Sequence, residues 1–195
     1  MLFGSQGVRT TSLDMIGAAA GVGRGQLYHF FVDKADLVAE VVAFQVDQVI
    51  VSLRPALEAM STADDVRAWC DEVVAFHAAS AESIRCPIGS LISQLDENDR
   101  AARQALQAGF TQWEGLLEAG FQRVADTGGL TAAGDPHTLA ATLLAAYQGG
   151  MLLADVSGDV APLRRALQGV ISLALTPATS TRAGKAERRR QMSTR

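Results

Sequence analysis

In "AGVGRGQLYHFFVDK", residues 20–34, a glycine-rich break is followed at once by Arg24, Gln26, Tyr28, His29 and Lys34. A core would call for aliphatic residues here. The stretch instead offers a guanidinium, an amide, a phenol, an imidazole and an ammonium, all hydrogen-bond donors and none spaced as a nucleophile with its base. Such a set suits the holding of an anion, and a phosphate backbone in particular. On an isolated helix the plainer reading would stand, with Tyr28 a half-buried packing residue and His29 a solvated surface group. The elements that carry them decide between the two.

Apolar residues recur at spacings of three and four, capping residues stand at the breaks, and alternating β-type runs are absent, so the chain reads as all-α. A short helix is predicted from Thr11 to about Ala20, a turn at Gly21 and Val22, and a second short helix over roughly Arg24 to Phe30. Two short helices joined by a Gly-containing turn make a helix-turn-helix. In it Ile16, Ala20, Val22 and Leu27 are expected to pack between the helices, and Gly17 and Ala18 to let them approach. Arg24, Gln26, Tyr28 and His29 are left outside. Thr11 with Asp14, and Asp33 with Asp36, each resemble a capping box, the second opening a helix from Lys34 to about Leu53.

Further helices are expected from near Ser61 or Thr62, and over "CPIGSLISQL" with Pro87 in its first turn. A long helix opens at Asp99, carries the stripe Leu106, Phe110, Trp113, Leu117, Phe121 and Val124, and stops at Gly128 or Gly129. Asp135 and Pro136 start another, through about Ala154, and a last runs from about Ala161 to Leu175.

The composition fits a folded globular chain: 195 residues, 48% hydrophobic and 19% charged. No apolar run reaches the roughly 18 residues of a membrane span, and the first residues lack a secretory profile, so neither membrane nor export is indicated and a cytoplasmic place is expected. Cys70 and Cys86 read as reduced thiols, with no metal and no cofactor indicated. The net charge of −4 is uneven. Arg182, Lys185, Arg188, Arg189, Arg190 and Arg195 stand against Glu187 in residues 178–195, giving that tail +5 and the rest −9. The tail is expected to be a disordered basic arm, either weakly attracted to a polyanion or simply solvating.

The order of residues in "TTSLDMIGAAAGVGRGQLYHFFVDKADLVAEVV" resembles the DNA-binding domain of the TetR/AcrR transcriptional regulators over about forty residues. "CPIGSLISQL", with the Trp-bearing helix and "AAYQGGMLLA" after it, is similar to one ligand-domain branch of that family. The resemblance implies a homodimer whose two recognition helices enter successive major grooves of a double-stranded DNA operator, with a C-terminal helical domain that binds a small-molecule effector and relieves repression. It also assigns roles. Thr11 offers a hydroxyl and free N–H groups to a phosphate, Lys34 supplies a point charge, and Tyr28 and His29 match the family's phosphate-contacting pair. Arg24 and Gln26 are placed to read base edges, Arg pairing with guanine and Gln with adenine. The sequence departs from the family pattern at Gly23, where a Ser or Thr cap is common, at Gly25, and at Val32, often proline. "MLFGSQGVRTT" aligns with the end of the family's first helix, Leu2 and Phe3 being its last apolar pair. Roughly three turns are thus missing, which suggests a natural start upstream and less apolar cover for Ile16 and Leu27.

The C-terminal two-thirds carries no catalytic constellation, so an enzyme is not expected. Phe110, Trp113 and Leu117, with Phe76, His77, Ile88, Leu91, Leu95, Tyr147 and Met151, are candidates to line an apolar effector cavity, the alternative for each being a dry core. Trp113, Tyr147, Gln148 and His77 bring polar tips into apolar helices, which favours the cavity. Cys86 is a candidate thiol sensor or a plain buried thiol. Leu139, Leu143, Leu163, Leu167 and Val170 are expected at a two-fold four-helix interface. The division expected is residues 1–45 for DNA, 46–176 for ligand and dimer, and 177–195 as tail. Two other readings stay open: a dimeric ligand-binding module without DNA binding, and a small helical enzyme dependent on His77.

Overall fold

The computed structural model describes residues 7, 8, 10–79, 86, 88–132 and 134–177. Among them the regular elements are helical: α1 Leu13–Ala20, α2 Arg24–Phe30, α3 Lys34–Ala59, α4 Ala63–Ala78, a 3₁₀ turn Gly89–Gln94, α5 Arg100–Asp126, α6 Pro136–Ser157 and α7 Ala161–Ala174. The expectations on Leu2, Phe3, Pro87 and the tail from residue 178 onward lie outside the described residues.

Local chemistry fixes most of the boundaries. Asp33 accepts from the Asp36 amide at 2.9 Å to open α3. Thr62 and Asp65 form a reciprocal capping box at α4, and Asp135 accepts from the Thr138 amide at 2.8 Å ahead of Pro136. Gly21 and Gly128 end α1 and α5 at φ 67° and 73°, where a residue with a Cβ would be strained. One cap differs from expectation. Ser12, not Thr11, caps α1, accepting from the Met15 amide at 3.2 Å.

Two helices also differ in extent. Within "CPIGSLISQL", Gly89–Gln94 form a six-residue 3₁₀ turn rather than an α-helix. The helix expected to end near Leu53 continues through Pro55 to Ala59. Proline removes one helical hydrogen bond there. The turns around it are held by burial of Ile50, Leu57 and Met60 and by Arg123, whose guanidinium donates to the Leu57 and Met60 carbonyls at 2.6 and 2.8 Å. A boundary at residue 45 thus falls inside one unbroken helix.

Packing pairs α3 with α5 and α6 with α7, while α5 also lies against α6 and α4 touches α7. Glycines mark the closest approaches. A methyl group at Gly109 would stand 2.4 Å from Val46 Cγ1, and one at Gly150 would stand 2.8 Å from Leu163 Cα. An isolated antiparallel bridge, Leu130 with Leu175, ties the loop after α5 to the end of α7. Helix α6 is long and apolar enough to cross a membrane, with mean hydropathy 1.4. Its residues Leu143, Leu144, Tyr147, Gly150 and Met151, however, are buried against neighbouring helices, as in a core helix.

That packing corrects three of the five residues expected at the dimer face. Leu143, Leu163 and Leu167 are wholly buried within the protomer, and Leu139 and Val170 are half-buried. The apolar residues left exposed are Leu152, Leu153 and Val156 on α6 and Leu173 on α7.

Candidate functional site

The first region is the helix-turn-helix. Gly17 and Leu27 are buried between α1 and α2, and a methyl group on Gly17 would meet the Val22 carbonyl and Leu27 Cδ1 at 3.0 and 3.1 Å. Ile16 and Val22 are half-buried; Ala18 and Ala20, expected between the helices, face solvent. Burial of Leu27 turns the opposite face of α2 outward, so Arg24, Gln26, Tyr28 and His29 are all exposed. Gly23 caps α2 with no side-chain hydrogen bond.

The exposed Arg24 is already engaged. The Arg24 guanidinium lies 5.5 Å from the Tyr28 ring centroid and 3.6 Å from Asp14. Hydrogen bonding to Tyr28, then attraction to Asp14, holds Arg24 above its ordinary pKa. His29 meets Phe30 edge-on at 5.2 Å. Lys34 is the half-buried first residue of α3. Thr11 departs from its expected role: it is 1% exposed, and its hydroxyl donates to the Gly7 carbonyl at 2.7 Å. Ser12, beside it, is the exposed cap.

The second region is a cavity of about 400 Å³. Its mouth lies between Ser52 and Ala56 of α3 and Glu72 and Phe76 of α4, all exposed. Its floor is His77, Cys86, Trp113 and Tyr147, each no more than 6% exposed. His77 Nε2 and the Tyr147 hydroxyl share a hydrogen bond at 3.0 Å, and Trp113 meets the Tyr147 ring edge-on at 5.0 Å. Burial pushes the Tyr147 phenol well up, so it stays protonated. Trp113 Nε1 is buried without a hydrogen-bond partner among the described residues.

Of the ten cavity candidates, Phe76, His77, Trp113 and Tyr147 come together here. Met151 lines a second cavity of about 500 Å³, between α6 and the 3₁₀ turn. Ile88, Leu91, Leu95 and Leu117 pack in the core, and half-buried Phe110 packs against it; none of these five lines either cavity. Sequence reasoning missed the α3 wall, Val49 to Ala56, and Trp69, Glu72 and Val73. The last three share a face with Phe76 at helical spacing, a signal present in the sequence.

Cys86 borders both cavities, its sulfur accepting from Gln148 Nε2 and the Gly89 amide, each at 3.4 Å. The 3₁₀ turn also reaches the segment ahead of α1, where Gln94 Oε1 accepts from the Val8 amide at 3.2 Å. Among the described residues no group of His, Cys, Asp and Glu could hold a metal ion.

Comparison with known proteins bears on both regions. The family model for bacterial regulatory proteins of the tetR family matches residues 1–41, and that for the tetracyclin repressor-like C-terminal domain matches residues 62–170. The HTH-type transcriptional regulator AcrR of Shigella flexneri is 55% identical over 40 residues, 20% of this chain and 19% of that protein. Similar solved structures include a SmeT–triclosan complex, 28% identical, covering 91% of this chain and 88% of that one at a TM-score of 0.72. SmeT is described as the repressor of the Stenotrophomonas maltophilia multidrug efflux pump SmeDEF. Escherichia coli NemR in its reduced form, 23% identical, covers 91% and 94% at 0.75, a likeness of fold.

Proposed function

Because the chain belongs to the tetR family of bacterial regulatory proteins, we propose that it is a ligand-responsive, homodimeric DNA-binding regulator, a repressor released from a palindromic operator by a small aromatic effector. One observation carries this reading. Helix α3 begins at Lys34 beside the recognition helix α2 and, without a break, supplies Val49, Ser52, Leu53 and Ala56 to the cavity wall. A molecule that spreads α3 from α4 therefore moves the helix from which α2 is hung. Two recognition helices must sit about 34 to 36 Å apart to meet successive major grooves, so a small rotation of α3 in each protomer suffices to break register. A coupling of about 1 to 3 kcal/mol is all such a switch requires.

On the DNA side, α2 presents Arg24 and Gln26 for base edges, while Tyr28, His29 and Lys34 serve the backbone. Arg24 leaves Asp14 for the DNA, a cheap exchange because that pair is exposed and long at 3.6 Å. The binding of triclosan by SmeT supports an aromatic effector for a cavity of this kind.

The test is fluorescence anisotropy with fragments of the intergenic DNA upstream of the protein's own gene, at two salt concentrations. One fragment is expected to bind tightly, Lys34→Ala to weaken binding with a salt slope reduced by about 1, and Arg24→Ala to relax sequence preference. Equal binding to all fragments, or none, would overturn the regulator reading.

A further inference from the structure

The chemistry of the effector can be narrowed from the cavity itself, an inference that rests on the reading of that cavity as the effector site. Three features of the lining act together. The first is an uncommitted donor: Trp113 is 1% exposed and lines the floor, yet its Nε1–H has no partner among the described residues. A buried donor left unmade is costly, so a ligand that brings an acceptor to it is favoured over one of equal shape that does not. The second is aromatic density, with the rings of Trp69, Phe76, Trp113 and Tyr147 all in the wall. The third is charge. Among the described residues of the lining, Glu72 at the mouth is the one carboxylate and none is Lys or Arg, and the Tyr147 phenol stays neutral.

From these we infer that the effector is an aromatic cation: a flat ring body bearing a hydrogen-bond acceptor for Trp113, and an ammonium nitrogen toward Glu72. The aromatic faces attract a cation through their quadrupoles, and Glu72 adds a direct charge. A carboxylate of the same size meets a like charge at the mouth and finds no Lys or Arg among the described lining residues. The cavity volume of about 400 Å³ holds a molecule of a few fused rings.

Four probes on one skeleton separate these contributions in calorimetric titrations of the full chain at neutral pH. They are 6-methylquinoline, quinoline-6-carboxylate, (quinolin-6-ylmethyl)trimethylammonium, and the naphthalene analogue of that last cation, which lacks the ring acceptor. The expected order is cation, then uncharged quinoline, then carboxylate, with about tenfold between the first and last. The quinoline bearing the side-chain ammonium is expected to bind several-fold more tightly than its naphthalene analogue. Glu72→Gln, at an exposed position, is expected to abolish the preference for the cation over 6-methylquinoline.

A carboxylate that binds as tightly as the cation, a preference that survives Glu72→Gln, equal binding of the quinoline and naphthalene cations, or no binding by any probe would overturn the inference. None of these outcomes touches the DNA titrations, whose failure would overturn the regulator reading instead.

Discussion

The hydrogen bond between His77 and Tyr147 closes the cavity floor, and both partners are buried, so its loss is not compensated by bulk water. Tyr147→Phe keeps the ring and strands one imidazole nitrogen. The expected cost is about 1 to 3 kcal/mol, read as a lower urea midpoint at unchanged slope. No change in midpoint would show that the imidazole finds another partner. A second titratable group, His137, is held above its ordinary pKa by the hydrogen bond to Glu118 at 3.2 Å. Because the folded pKa is the higher one, its contribution is complete at pH values below the ordinary histidine range and is lost as pH rises through the raised folded value. Thermal midpoints followed across that range should fall slightly in the parent chain, and the step should vanish in His137→Gln; an identical step in both would assign it elsewhere. Cys70, by contrast, has its thiol pushed up to about 12 by burial and then by Asp71, so alkylation of the folded protein should spare it. At this scale the sequence was legible where a polar tip interrupted an apolar helix face at His77, Trp113 and Tyr147, which line one cavity, but not at Gln148, which lines the other. Nor was it legible at Thr11, because a hydroxyl next to a helix start can serve the helix, a neighbouring carbonyl or a ligand. Only the fold shows that Gly7 takes it.

Elements were legible where a cap or a stop has its own chemistry: Asp33, Thr62 and Asp135 open helices, and Gly128 follows the end of α5. The end of α3 was not, because proline is a local signal and Arg123, which closes that end, comes from the far end of α5. The crossing of α3 and α5 was equally silent, since Gly109 looks like any weak helix residue until Val46 is found against it. Gly109→Ala gains about 1 kcal/mol of helix propensity but drives a methyl group to 2.4 Å from Val46 Cγ1. Overpacking of this kind costs about 1 to 3 kcal/mol, so the net change should be destabilising. Adding Val46→Ala vacates the space, and the double variant should be more stable than the two separate losses sum to, a favourable coupling measured by a double-mutant cycle in urea. Additive losses would mean that the two helices do not bear on each other there. Under the proposed switch, in which α3 carries the motion, the Gly109→Ala chain should also show altered operator affinity in the absence of any effector.

For the whole molecule, periodicity showed that α6 and α7 are more apolar than a terminal pair needs, and it could not say which stripe turns inward. The fold assigns Leu143, Leu163 and Leu167 to the protomer's own core. It leaves Thr142, Ala145, Gly149, Leu152, Leu153 and Val156 exposed along one side of α6, with Gly169 and Leu173 exposed on α7. A Cβ at Gly149 or Gly169 would meet nothing within 4 Å, so another backbone can come close at both points. With this stripe as the two-fold interface of the proposed homodimer, the contact is self-complementary and each substitution in it acts twice. Leu152→Glu with Val156→Glu should therefore yield a monomer by light scattering with unchanged helical circular dichroism. Operator affinity should fall by about a thousandfold, toward the non-specific level, because one recognition helix alone cannot span both half-sites. Leu143→Glu should behave differently, losing helical signal and stability before any question of assembly arises, since it buries an unpaired charge. If the double variant stayed dimeric and bound its operator, the exposed stripe of α6 would not be the contact that sets the spacing of the two recognition helices.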